Sequence, residues 1–129
     1  MVSIIPTIPY IFQLIDMIEK FSFGAITVNG QTYHSDIKII KGAVVPEWWR
    51  NSGHTVDIDD VHDILSTQPN ILVIGKGAPG HMRVTDALKE YAATHGFELI
   101  EEKTASAINT FNRLVKEGKI VAGGFHVGC

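Results

Sequence analysis

The sequence predicts a single α/β domain with a mixed β-sheet, parallel in its second half, covered by helices and preceded by an N-terminal β-hairpin. Three observations carry this. Asn29-Gly30 stands between two strand-like runs, and both residues tolerate the positive φ of a two-residue hairpin turn. Residues 71–74, Ile-Leu-Val-Ile, have no polar member, as a strand buried on both faces requires. From residue 59 onward, helical and strand-like segments alternate, the order that produces parallel strands joined by crossover helices. The length of 129 residues suits one domain with one sizeable core.

Taken in order, residues 21–28 read as the first strand and residues 31–41 as its return. In the return strand Tyr33, Ser35, Ile37 and Ile39 share one face; Thr32, His34, Asp36 and Lys38 share the other. Gly42 marks a turn, and residues 43–45 form a third short strand. Residues 46–53 are irregular and contain Trp48-Trp49. "DIDDVHDIL" opens a helix capped by Asp59, with Val61, Ile64 and Leu65 as its apolar face, and Pro69-Asn70 ends it. After the apolar strand and a glycine loop, residues 85–95 form a helix with Gly96 beyond its end. Residues 97–102 form a strand. Thr104 caps a last helix with Ala107, Ile108, Phe111, Leu114 and Val115 on one face; Gly118 closes it. Residues 120–127 are the final strand.

The first sixteen residues form an N-terminal extension to a domain over residues 17–129. Pro6 and Pro9 interrupt its apolar run. It has neither a basic n-region nor a small-residue cleavage site, and is too short to span a bilayer. Ile11, Leu14, Ile15 and Ile18 repeat at helical spacing, which fits a short docking helix. The alternative is that translation begins at Met17.

Apolar residues make up 45% of the chain and charged residues 19%, an ordinary globular balance. A formal charge of −3 with scattered Lys and Arg gives no electrostatic reason to expect nucleic acid. A single cysteine, Cys129, permits no intrachain disulfide and gives no sign of an oxidising compartment. The first twenty residues carry only Lys20 as a base, unlike a mitochondrial transit peptide, so a cytoplasmic setting is expected.

Gly75, Gly77 and Gly80 fall in a G-x-G-x-x-G spacing after a strand, and Glu101 follows at the end of the next strand, where an acid can bind a ribose. In a dinucleotide turn, however, the helix starts inside the glycines so that its amides face the pyrophosphate. Here Pro79 interrupts the motif and "HMRV" separates Gly80 from Thr85. The remaining readings are a tight βα bend, or a small anion held by loop amides with Lys76 and Arg83 nearby. No cofactor is expected.

Six histidines show no metal-ligand spacing, although His81 and His126 both fall near strand ends and are expected to approach one another. No metal site is assigned. The aspartates of "DIDDVHD" suit a helix start better than a calcium loop. Cys129 would be a nucleophile only beside an activating base, and a residue at a chain end is seldom held rigidly. Adjacent tryptophans cannot both face one core from regular structure, so at least one of Trp48 and Trp49 belongs to a rim or a contact surface.

"SFGAITVNGQTYHSDIKII", "WWRNSGH", "PNILVIGKGAPGHMRV" and "TASAINTFNRLVKEGKIVAGGFHVGC", in this order, resemble the Mth-type domain family across about residues 17–129. The family includes an adipogenesis-associated Mth domain-containing protein and a mitochondrial assembly factor of NADH dehydrogenase (complex I). The resemblance implies an Mth-type α/β fold and no established reaction. Some eukaryotic members act in respiratory-complex assembly. The family often has Arg where Lys119 stands, and alanines where Gly123-Gly124 stand; the glycines are expected to loosen the last strand.

Two hypotheses follow. The first is a non-enzymatic binding or assembly module with a partner surface of Trp48, Trp49, Arg50 and His54, together with the glycine loop and His81. The second is a small-molecule or anion site at Gly77, Gly80, His81 and Arg83, with or without an enzymatic reaction. A homodimer through the hairpin edge is a weaker third.

Overall fold

The computed structural model describes residues 17–129. The expected docking helix and alternative start over residues 1–16 lie outside them.

The chain begins with a three-stranded antiparallel sheet of β1 (Ile18–Ser22), β2 (Ala25–Val28) and β3 (Gln31–Tyr33), in the order β1-β2-β3. The single strand expected over residues 21–28 is in fact two. The chain reverses at Phe23-Gly24, where the Gly24 amide donates to the Val127 carbonyl at 2.8 Å. Asn29-Gly30 makes the expected hairpin turn, both residues at positive φ. The return strand also divides. β3 stays in the first sheet, and β4 (Ile37–Ile40) enters a second one with Ile37 and Ile39 buried. The break falls at residues 34–36, which releases Asp36 from sheet pairing.

The main sheet has the order β5-β4-β10-β7-β9, with β5 (Ala43–Val45), β7 (Ile71–Lys76), β9 (Glu98–Glu102) and β10 (Val121–His126). β10 runs antiparallel to β4 and parallel to β7, and β7 runs parallel to β9. The sheet is therefore mixed and parallel in its second half. β7 is buried on both faces. Ile71 and Val73 enter the cluster that holds Phe111 and Phe125; Leu72 and Ile74 enter the one that holds Trp48, Ile64 and Leu88.

The helices divide between these faces. α3 (Thr104–Lys116) buries Ala107, Ile108, Phe111 and Leu114. α2 (Asp86–His95) is capped by the Thr85 hydroxyl and ends at Gly96 in the left-handed region. The acidic segment is shorter than expected: a 3₁₀ turn (Ile58–Val61) leads into one α-turn, α1 (His62–Leu65). Its cap is Asp57 and not Asp59, because Asp57 and Asp60 form a reciprocal capping box. Thr104 is not a cap either; the cap position is Lys103, which makes no side-chain cap bond. A two-stranded parallel ribbon, β6 (Thr55–Val56) with β8 (Arg83–Val84), has no counterpart in the sequence reading.

Gly123-Gly124 does not loosen β10. A Cβ on Gly123 would lie 2.5 Å from a Phe125 ring carbon, and one on Gly124 would lie 2.8 Å from the Trp48 indole. The glycines let two aromatic rings press onto the strand from opposite faces. Among the described residues, no helix is long and apolar enough to cross a membrane.

Candidate functional site

Asp36, Arg50 and His126 come together at the carboxyl end of β10 from positions far apart in the chain. Asp36 Oδ1 accepts from the Val127 amide at 2.7 Å. Its Oδ2 accepts from Arg50 Nη2 at 2.7 Å and from His126 Nδ1 at 2.8 Å. Burial pushes the Asp36 carboxyl up. The His126 hydrogen bond, the Val127 amide and the Arg50 guanidinium outweigh that, and the carboxyl is held below its ordinary value. An ionised carboxylate only accepts, so Nδ1 of His126 carries the proton. Arg50 Nη2 and His126 Nδ1 lie 3.4 Å apart because they share one acceptor, not because they bond.

Arg50 also donates from Nε and Nη2 to the Gly53 carbonyl, and its guanidinium lies 4.6 Å from the Trp48 ring centroid. Its side chain is only 5% exposed. Trp48 is 4% exposed and donates from Nε1 to the Asp60 carbonyl at 2.8 Å. The Trp48 amide donates to the Asp36 carbonyl, and the Glu47 amide to Ser35 Oγ. The loop over residues 46–53 is irregular yet fastened at every second or third residue. On it the tryptophans part: Trp49 is 82% exposed. A cleft of about 340 Å³ opens beside Trp49, lined among others by His34, Asp36, Glu47, His126 and Gly128.

His54 brings its ring edge-on to His126 at 5.9 Å, and Cys129 Sγ lies 3.8 Å from His54 Nε2. The histidine against His126 is therefore His54 and not His81, which is exposed and joined to it by no hydrogen bond or ring contact among the described residues. The His81 amide donates to the Cys129 carbonyl at 3.2 Å, so the last residue is tied down after all. Among the described residues no group of three or more His, Cys, Asp or Glu is arranged to hold a metal ion.

In the glycine loop the peptide between Gly80 and Thr85 is extended, and α2 begins only at Asp86. The loop amides turn inward. Gly77 donates to Thr104 Oγ1, Ala78 to the Gly128 carbonyl and Met82 to the Lys76 carbonyl. Gly77 has φ +97, and a Cβ there would meet the Gly128 carbonyl oxygen at 2.7 Å. Gly80 lies against the Lys103 side chain. Arg83 is exposed on β8, and its amide donates to the His54 carbonyl. Glu101, the candidate ribose acid, lies within ion-pair distance of Lys76 and Lys89. The Thr104 hydroxyl, read from sequence as a cap, instead donates to the His126 carbonyl and receives the Gly77 amide, joining the loop, β10 and α3.

Asp36 is the residue the sequence reading missed. Its partners lie 14, 90 and 91 positions away. The one local signal is an acid directly before the alternating run of β4.

A family model described as a protein of unknown function (DUF498/DUF598) matches residues 18–126. Among solved structures, the protein MT938 superposes with a TM-score of 0.74 at 24% identity, covering 88% of this chain and 99% of that one. A conserved hypothetical protein, PH1505 from Pyrococcus horikoshii OT3, gives 0.71 at 23% identity, covering 87% and 98%. A Mth938-like domain protein from Bordetella pertussis gives 0.57 at 18% identity, covering 87% and 85%. These likenesses support the same mixed α/β fold. The chain belongs to the DUF498/DUF598 family of proteins of unknown function, with a Mth938-like fold.

Proposed function

We propose that this protein is a non-enzymatic binding or assembly module whose contact surface centres on Trp49. One observation carries the reading: Trp49 projects into solvent from a loop whose neighbours on both sides, Trp48 and Arg50, are locked inside. An indole displayed on a rigid support loses little conformational freedom on binding, and aromatic anchors dominate contact energies. In this reading Trp48 and Arg50 support the surface, and exposed His54 borders it. Enzymatic action is disfavoured because, although Asp36 and His126 border the cleft, the ring nitrogen a base would use, His126 Nε2, is buried and meets no partner among the described residues. A cytoplasmic setting belongs to the same proposal.

The second reading, a small anion at Gly77, Gly80, His81 and Arg83, draws support from the exposed side chains of His81 and Arg83 at the loop mouth. It ranks lower because the amides of Gly77, Ala78, His81 and Met82 already donate within the chain.

The test places a photo-crosslinking amino acid at position 49 and, separately, at position 120, in the native host. Ile120 is also a large exposed hydrophobic, at 64%. The expected result is a discrete adduct from position 49 and none from position 120. Equal labelling from both, or none from position 49, would overturn the reading.

A further inference from the structure

Resting on that reading, we infer that the cleft beside Trp49 receives a cationic side chain, arginine or lysine, from a partner polypeptide. The loop over residues 46–53 already builds one indole–cation–carboxylate sandwich on its inner side. There the Arg50 guanidinium lies 4.6 Å from the Trp48 centroid and donates to Asp36 at 2.7 Å. On its outer side the same loop offers Trp49 and Glu47, which line one cleft. No lysine or arginine lines that cleft among the described residues. Asp36 is already paired with Arg50 from within and hydrogen-bonded by His126, which leaves Glu47 as the cleft carboxylate without a basic partner among the described residues. No hydrogen bond or ion pair engages the Glu47 carboxylate among the described residues.

Glu47 is also placed with care. Its backbone sits at φ +57, a conformation uncommon for a residue with a side chain. Two bonds hold it there, from its own amide to Ser35 Oγ at 3.0 Å and from the Trp48 amide to the Asp36 carbonyl at 2.9 Å. An indole face attracts a guanidinium or ammonium, and a carboxylate beside it supplies the charge-assisted hydrogen bond. An apolar side chain would use the indole and leave Glu47 desolvated and unpaired, which selects against it.

The test is a ¹⁵N–¹H titration of the full chain with acetyl-Gly-Arg-Gly-Arg-Gly-amide, against the same peptide carrying Gln or Leu in place of Arg. The two tryptophans give two indole signals, and the amides of α3, none of whose residues lines the cleft, serve as the internal control for fold. The Arg peptide is expected to shift the Trp49 indole saturably while the α3 amides stay. Glu47→Gln should weaken that binding about fivefold or more, with the α3 amides unmoved. Equal shifts with the Gln or Leu peptide, or binding unchanged by Glu47→Gln, would overturn the cation while leaving a binding surface at Trp49. No shift with any peptide would overturn the inference as well. Failure of the crosslink at position 49 is the separate result that removes the reading beneath it.

Discussion

The loop after β5 and the loop after β7 both touch the segment 126–129, and they treat their polar groups in opposite ways. The glycine loop turns its amides toward the chain itself, onto Thr104, Gly128 and Cys129. The tryptophan loop fastens itself through Trp48 and Arg50 and still presents Trp49 and Glu47 outward. The glycine loop carries the pattern commonly associated with ligands, yet it works as a clasp for the chain's last residues. The loop with no ligand-binding motif is the one that presents an indole and a carboxylate to solvent. A spacing of glycines describes where backbone can approach closely; it does not say whether the approaching group is a phosphate or the protein's own carbonyl.

The sharpest way to break this contrast is within the tryptophan pair. Trp48→Ala removes a buried indole packed on Gly124 and bonded to Asp60, and should cost about 3–5 kcal/mol. Trp49→Ala should change stability by less than about 0.5 kcal/mol. Guanidinium unfolding of the two variants reads both. Comparable losses would show that Trp49 is structural and that the two sides of the loop do not differ.

A second experiment asks whether the glycine loop is a clasp. Gly77→Ala forces a side chain onto a backbone at φ +97 and against two backbone carbonyls, and should destabilise by about 1–3 kcal/mol. Gly80→Ala also meets positive φ, but its contact is the flexible Lys103 chain, so its cost should be smaller. Thermal melts that rank Gly80 above Gly77 would contradict the inward-facing loop.

Much of this architecture was legible. β7 announced itself because a run without polar residues has few places to go, and α3 because Ala107, Ile108, Phe111 and Leu114 keep helical spacing. The break at residues 34–36 was not, since it interrupts an alternating pattern without a glycine or proline to mark it; the one at Phe23-Gly24 left a single sign, Gly24, which turns at φ +85. Gly123-Gly124 misled for a related reason. A glycine's effect depends on what lies across from it, and Trp48 lies 76 residues earlier. The Asp36–Arg50–His126 cluster was hidden in the same way, because no local period links residues so far apart. Of the candidate site, the sequence could say that one tryptophan must face outward, but not which. That depended on Trp48 Nε1 finding the Asp60 carbonyl and its ring finding Gly124.

The smallest effect concerns the inner side of the tryptophan loop and its dependence on pH. Asp36 titrates below its ordinary value in the folded protein, because His126, the Val127 amide and Arg50 together outweigh burial. A carboxyl lowered by folding gives stability that is fully present above its unfolded pKa, about 3.9, and is lost as pH falls through the lower folded value. Between those values the unfolded chain binds more protons than the native one, so stability falls with acid, by at most about 1.4 kcal/mol per pH unit for one group. Asp36→Asn removes this titration and also sets an amide nitrogen or oxygen against three donors that expect a carboxylate. The variant should therefore be less stable near neutrality and show a shallower decline below about pH 4. Denaturation midpoints across that range measure both. Curves that stay parallel in acid would mean that Asp36 keeps its ordinary pKa, and that the inner sandwich is held by packing of Arg50 on Trp48 rather than by the Asp36 carboxylate that Arg50 shares with His126.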